Sequence, residues 1–139
     1  MNIPTTERTL TELDHVRLKG LVQRHRHGAA PSVLDDIGDM LDEASIVPST
    51  QVAADVVTMY SKVLVEDPVS GQRSTLTVCY PPDARPEQGF VSALSPVGLG
   101  LLGRRNGDLA SWSTPSGERR TAKIVAILFQ PEAQGDYTT

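Results

Sequence analysis

The distribution of proline is the feature of this sequence that most restricts its fold. The chain has 10 prolines, and only Pro4 and Pro31 precede residue 48. Because proline interrupts helices and central strands, the first part of the chain can form continuous helices, whereas the second must consist of short elements separated by turns. We therefore predict two units, residues 1–47 and residues 48–139.

The first unit is predicted to be a short antiparallel helical hairpin. Thr11 or Asp14 can cap a first helix that runs to about His27, and Ser32 can cap a second helix. Apolar residues recur at intervals of three and four along the second helix, which is the spacing of a coiled-coil seam. A linker of about four residues makes the two helices antiparallel neighbours, each roughly 20 Å long.

The second unit is predicted to be an α+β sheet domain with one short helix. A first strand is expected from the alternation of Val57, Met59, Val63 and Val65. Its partner is expected over residues 75–80, after a turn cluster at residues 67–71. Two further segments, residues 109–113 and 122–129, complete a terminal hairpin. The nearly continuous apolar run 122–129 predicts a strand covered on much of both faces.

The short helix has clear boundary signals. Ser95 is an N-cap residue, Pro96 occupies the first helical position, and Gly103 follows the last turn. Gly98 and Gly100 permit this helix to pack closely against a neighbour, although they lower its intrinsic stability.

Charge and cysteine content exclude several classes of protein. The chain has 13 basic and 17 acidic residues, a net charge of −4, which argues against an autonomous nucleic-acid binder, and we expect no direct, sequence-specific binding of nucleic acid. Cys79 is the single cysteine, so the sequence has no disulfide framework and no multi-cysteine zinc site. No apolar run approaches the roughly 18 residues of a membrane span. We expect a soluble cytoplasmic protein that carries no cofactor or metal.

The segment SALSPVGLGLLG, residues 92–103, followed by Gly107-Asp108, resembles the C-terminal domain of the GreA/GreB transcript-cleavage factors. The DVVTM segment at residues 55–59 and the FQPEAQGDY tail at residues 129–137 are similar to the branch of regulators of nucleoside diphosphate kinase (Rnk). The resemblance covers nearly the whole chain. It implies a coiled-coil finger, an FKBP-like domain and docking on the secondary-channel rim of bacterial RNA polymerase, in competition with Gre factors.

The expected finger tip departs from the Gre pattern. Gre fingers end in two acidic residues that help to hold the catalytic magnesium of the polymerase, whereas the tip here reads HRHGAAP and contains no carboxylate. Mg²⁺ requires oxygen ligands, which the side chains of this tip do not supply. The resemblance therefore implies a regulator that does not stimulate transcript cleavage. The alternative is a cleavage factor in which Asp35 and Asp36 act as recessed magnesium ligands, although both residues are more simply explained as helix-capping groups.

The resemblance also implies which residues contact the polymerase. They are Ser92, Ser95, Pro96, Arg104 and Arg105 in the sheet domain, with His25, Arg26 and His27 at the finger tip. Each set has a simpler structural explanation, namely helix initiation for Ser95 and Pro96 and solvated surface charge for the others.

No catalytic residue is predicted. A prolyl isomerase of the FKBP type needs an aromatic-lined pocket, and only six aromatic residues are present: Tyr60, Tyr80, Phe90, Trp112, Phe129 and Tyr137. Any link to nucleoside diphosphate kinase is expected to be indirect, through transcription.

Overall fold

The computed structural model describes residues 8–24, 31–114 and 116–136, and for residues 31–36 it describes the backbone alone. Three α-helices and seven β-strands lie in these ranges. The helices are α1 (Glu12–Arg24), α2 (Pro31–Glu43) and α3 (Pro96–Leu101). The strands are β1 (Thr9–Thr11), β2 (Ser45–Val47), β3 (Lys62–Glu66), β4 (Arg73–Cys79), β5 (Phe90–Ser92), β6 (Leu109–Ser113) and β7 (Arg119–Phe129). None of the described helices is long and apolar enough to span a membrane.

The helical hairpin is closed at its base by a small parallel sheet. Strand β1 precedes α1, strand β2 follows α2, and Leu10 pairs with Ile46 between them. Thr11 caps α1, since its hydroxyl accepts a hydrogen bond of 3.1 Å from the Asp14 amide. The predicted cap at Ser32 is wrong, because α2 already includes Pro31 and Ser32 therefore lies within the helix. The predicted end of the first helix near His27 lies outside the described residues.

The main sheet has five strands in the order β5-β4-β3-β7-β6. All neighbours are antiparallel except β4 and β5, which are parallel. Two irregularities in the pairing of β3 with β7 bend the sheet. The result is a mixed α+β fold with a curled, mostly antiparallel sheet.

The expected first strand is shorter than its apolar alternation suggested. Strand β3 begins at Lys62, and Val57 and Met59 lie in an irregular segment, although both are fully buried. The reason is a turn at residues 58–61, where the Thr58 amide donates to the Ser61 hydroxyl and Tyr60 adopts a positive φ of 65°. A left-handed residue at this position prevents a strand from continuing through it.

Helix α3 closes the open side of the curled sheet. A Cβ on Gly98 would lie 1.9 Å from the carbonyl oxygen of Ser92 in β5, and a Cβ on Gly100 would lie 3.2 Å from that of Ser111 in β6. The helix thus abuts both edge strands. At residue 98 only glycine permits this approach, and at residue 100 a Cβ would make a tight contact.

One hydrophobic cluster joins the helices to the inner face of the sheet. It includes Leu18 from α1, Ile37 from α2, Leu101 from α3 and Ile124 from β7, all at most 1% exposed. The prediction that residues 122–129 are covered on much of both faces holds only in part: Ala122 and Ile124 are buried and residues 125–127 are half-buried, whereas Leu128 is 52% and Phe129 is 43% exposed. Only the inner face of β7 packs against the core.

Candidate partner-binding corner

The residues 92–96 form a tight turn into α3, which we call the α3 corner. The Ser95 hydroxyl donates to the Ser92 carbonyl oxygen (2.6 Å) and accepts from the Gly98 amide (3.2 Å). The Ser92 hydroxyl accepts from the Leu94 amide at 3.0 Å. Pro96 takes the first helical position, as predicted. The hydroxyl groups of both serines thus bond within three residues, so this part of the turn is set by local sequence.

The α3 corner is also held by contact between backbones. Gly98 lies against the Ser92 carbonyl group, so the backbone at the start of the helix is in direct contact with the end of β5. All residues of the corner except Ala93, which is buried, are partly exposed. The corner is therefore a rigid surface that is accessible to a partner.

The two candidate arginines lie at the other end of α3, about 9 Å away for a helix of six residues. Arg105 is exposed; its amide donates to the Asp108 carboxylate (2.8 Å) and its Nη1 lies 3.4 Å from Asp55. Arg104 is half-buried, and burial lowers the pKa of its guanidinium, an effect that Asp108 opposes. The structure thus brings Ser92, Ser95 and Pro96 together and separates them from Arg104 and Arg105. His25, Arg26 and His27 lie outside the described residues.

An arginine that the sequence did not single out anchors the N-terminal segment to α3. The Nη1 of Arg8 donates to the carbonyl oxygens of Leu99 and Leu102, the latter at 3.3 Å. Burial and the neighbouring Arg104 lower the pKa of Arg8 to about 10. The Thr9 amide also donates to the carbonyl oxygen of Gly103 (3.1 Å). The end of α3 is therefore capped by the chain that leads into the helical hairpin.

A buried polar cluster joins the hairpin to the sheet domain, and we call it the hairpin base. Asp14, in the first turn of α1, is 1% exposed and accepts a hydrogen bond of 3.1 Å from the Met59 amide. Glu132, which is 8% exposed, accepts from the Thr58 hydroxyl at 2.7 Å. The second oxygen of Asp14, Oδ1, accepts no hydrogen bond from the described residues.

Burial raises the pKa of Asp14 to about 6, and the nearby Glu132 acts in the same direction. The Met59 amide, the Thr11 hydroxyl and Arg17 act in the opposite direction, favouring the ionised form. This cluster was missed because Asp14 was interpreted only as a helix cap. The one sequence signal is its position three residues after Thr11, which already supplies the cap.

Other titratable residues have structural roles. His15 donates from Nε2 to the carbonyl oxygen of Leu41 at 3.0 Å and so links α1 to α2. Cys79 is fully buried, its thiol lies 3.5 Å from the carbonyl oxygen of Val91, and burial raises its pKa. In the part of the chain that the structure describes, no group of three or more His, Cys, Asp or Glu side chains is placed to hold a metal ion.

The family model for the C-terminal domain of the transcription elongation factors GreA and GreB matches residues 51–129. The chain belongs to the GreA/GreB family. The match includes the α3 corner, both candidate arginines and all five strands of the main sheet.

Individual relatives cover the helical hairpin as well. The Escherichia coli K12 regulator of nucleoside diphosphate kinase is 31% identical over 92% of this chain and 93% of its own length. The Thermus thermophilus transcription inhibitor protein Gfh1 is 38% identical over 68% of this chain and 60% of its own length. A solved GreA/GreB elongation factor from Nitrosomonas europaea superposes with a TM-score of 0.73 at 32% identity, covering 88% of this chain and 99% of that one. This member of the GreA/GreB family is thus similar both to elongation factors and to proteins named as regulators or inhibitors.

Proposed function

We propose that this GreA/GreB family member binds bacterial RNA polymerase at the rim of its secondary channel and competes there with Gre factors. The observation that carries the proposal is the α3 corner. Ser92, Ser95 and Pro96 match the segment that implied rim contact, and they form a rigid, partly exposed turn. A preorganised surface loses little conformational entropy when it binds, which favours its use as the main contact.

The two candidate arginines would extend this contact along α3. Arg105 is exposed, and among the described residues its side chain pairs with Asp55 alone, at 3.4 Å, and Asp55 is itself about half exposed. Such an exposed pair contributes little stability, so Arg105 can exchange Asp55 for an acidic group of a partner at small cost. Arg104 is half-buried, so its contribution would be mainly structural, as part of the backbone turn that presents Arg105 to a partner.

We also propose an FKBP-like assignment for the sheet domain, because a curled sheet closed by one short helix is the arrangement that the resemblance implied. We propose no prolyl isomerase activity for this domain. Trp112 packs on Gly100 of α3, and Tyr60 and Tyr80 pack against each other in a tilted arrangement with ring centroids 5.8 Å apart. These three rings thus serve packing, and they are half of the six aromatic residues in the chain.

The helical hairpin is proposed to occupy the channel mouth without stimulating transcript cleavage. Helices α1 and α2 span 13 described residues each, about 20 Å. The sequence between them, residues 25–30, contains no carboxylate that could help to hold Mg²⁺. The protein would then act as a non-enzymatic regulator in the cytoplasm, and any effect on nucleoside diphosphate kinase would follow indirectly from transcription.

A binding and competition experiment tests this function. The protein should co-migrate with core RNA polymerase on a sizing column at micromolar concentration, and excess GreB should displace it. Absence of any complex would contradict the proposal.

A transcript-cleavage assay distinguishes a regulator that does not stimulate cleavage from a cleavage factor. On a backtracked elongation complex the protein should leave the rate of transcript cleavage unchanged and should inhibit cleavage when it is added together with GreB. A burst of cleavage with this protein alone would instead support the alternative, in which Asp35 and Asp36 reach the active site.

A further inference from the structure

The face of the sheet that points away from the core carries its own pattern of side chains, and we call it the outer face. The buried cluster includes Val63 of β3, Val78 of β4, Val91 of β5 and Ile124 of β7. The residues next to Val63 and Val91 point the other way, and so does Phe129, which the register of β7 places opposite Lys62. Leu64, Phe90 and Phe129 lie outside that cluster, and all three are partly or largely exposed. Of the described helices, α3 is the one with extensive strand contacts in this sheet, and it abuts the two edge strands, β5 and β6.

Four outer-face residues form one row across four strands. Phe129 in β7 is directly opposite Lys62 in β3, Lys62 is opposite Thr77 in β4, and Thr77 is opposite Phe90 in β5. Since adjacent strands are about 4.8 Å apart, the two phenylalanines are roughly 14 Å apart at the backbone. A lysine and a hydroxyl group therefore lie between two aromatic rings on an open sheet surface.

The outer face is positively charged, although the chain as a whole is negative. Its strand residues include four cations, Lys62, Arg73, Arg119 and Lys123, and one carboxylate, Glu66, which gives a net charge of +3. The net charge of the chain is −4. Glu66 forms an ion pair of 3.0 Å with Arg73. Lys62 and Lys123 are exposed and form no ion pair with the described residues, so both are available to an anionic ligand.

We propose that the outer face binds single-stranded nucleic acid without sequence specificity. Phe129 and Phe90 provide stacking surfaces for unpaired bases, Lys62 and Lys123 contact phosphates, and Thr77 offers a hydroxyl group between the rings. Open sheets that combine exposed aromatic rings with cations bind two or three bases in this way. Lysines alone would attract any polyanion, whereas two aromatic rings that flank a lysine favour a ligand with flat bases.

The net charge of the chain, −4, opposes tight binding of nucleic acid, whereas a weak contact confined to the outer face does not need a basic domain. Binding through about two phosphates should have an affinity in the range of non-specific complexes, roughly 10⁻⁴ to 10⁻⁶ M. None of the residues proposed to contact nucleic acid belongs to the α3 corner, although Ser92 shares its side of β5 with Phe90, so this inference does not depend on polymerase binding.

Fluorescence anisotropy with an end-labelled oligo-uridylate of eight nucleotides is the test, at low salt and with the full chain. Phe129→Ala should weaken binding at least fivefold, the loss expected for one stacking surface. For the unaltered protein, the slope of log K against log salt should be about −1.4, the value for two phosphates on a single strand. The double variant Lys62→Gln with Lys123→Gln should lose most of this salt dependence. The matched controls lie on α1, where Val16 and Lys19 are also exposed. Val16→Ala and Lys19→Gln should bind like the unaltered protein, and all variants should retain its melting temperature.

A double-stranded oligonucleotide and an oligo-glutamate of equal charge separate stacking from simple attraction between charges. Both should compete at least fivefold less well than the oligo-uridylate, because neither offers unpaired bases. The proposal is overturned by equal competition from oligo-glutamate together with an unaffected Phe129→Ala variant, which would indicate a surface for acidic protein segments. It is also overturned if no binding occurs at about 100 µM protein, the weak end of non-specific affinities.

Discussion

The α3 corner and the hairpin base are held together by opposite means. In the corner, the neutral hydroxyl groups of two serines bond to groups at most three residues away, and a glycine lies against a carbonyl group. In the base, buried carboxylates bond to groups 45 and 74 residues away, and one carboxylate oxygen of Asp14 accepts no hydrogen bond from the described residues. The comparison indicates a corner that is insensitive to pH and depends on close packing, and a base whose stability depends on ionisation.

The corner should be most sensitive to added volume. In Gly98→Ala the new Cβ would lie 1.9 Å from a backbone oxygen, so the end of β5 or the start of α3 must shift. We expect the free energy of unfolding to fall by at least about 3 kcal/mol, the upper part of the range for overpacking. Urea unfolding measures this. Gly38→Ala is the control, because no atom lies within 4 Å of the new Cβ in α2 and the variant should gain up to about 1 kcal/mol. Equal effects at the two glycines would contradict the close packing of the corner.

The base should be most sensitive to pH. The folded-state pKa of Asp14, about 6, exceeds its ordinary value of 3.8, so folding favours the protonated form. This contribution to stability is complete below about pH 4 and is lost as the pH rises through about 6. Two pKa units correspond to about 2.7 kcal/mol, and we expect about 2 kcal/mol after local relaxation.

Asp14→Asn removes that ionisation and keeps an oxygen for the Met59 amide. As the pH rises from 4 to 7, the free energy of unfolding of the variant should therefore increase by about 2 kcal/mol relative to that of the unaltered protein. Chemical unfolding at each pH measures this difference. Asp39→Asn, on the exposed side of α2, should leave the pH dependence unchanged. If the free energy of unfolding varied with pH in the same way for Asp14→Asn and for the unaltered protein, the buried-carboxylate interpretation would be refuted.

The smallest expected effect comes from the helix cap of the corner. Ser95→Ala removes the acceptor for the Gly98 amide and should lower stability by about 1 kcal/mol, independently of pH between about 5 and 8. Ser113→Ala, at an exposed position of β6, should change stability by less than about 0.5 kcal/mol. A clear pH dependence of the Ser95→Ala effect would remove the contrast between corner and base.

The same contrast explains what could be predicted from the sequence. The start of α3, the turn at residues 67–71 and strand β6 were predicted correctly, because each depends on signals within a few residues. The contacts of Asp14 and Arg8 could not be predicted, since they join parts of the chain 45 or more residues apart. The interrupted strand before Lys62 was missed for a related reason: Val57 and Met59 are buried as a strand pattern requires, yet the turn at Tyr60 redirects the backbone.

The outer face illustrates a second limit. Residues 122–129 are apolar almost throughout, which is typical of a strand covered on both faces, but the exposure of Phe129 depends on which elements the chain places over the sheet. Which face is covered follows from the connections at the edges of the sheet, since the hairpin and α3 both pack on its inner side. Periodicity alone carries no information about it.

The most direct test of the proposed function compares polymerase affinities of the corner and the finger tip. Pro96→Asp keeps a residue compatible with the first turn of α3 and places a charge on the corner, so it should raise the Kd for core RNA polymerase about tenfold or more. The triple variant His25→Ala, Arg26→Ala, His27→Ala should raise the Kd only about threefold, as exposed charges at the rim of an interface do. Both variants must first unfold at the same denaturant concentration as the unaltered protein. A larger loss of affinity in the tip variant than in Pro96→Asp would contradict the account and make the helical hairpin the anchor.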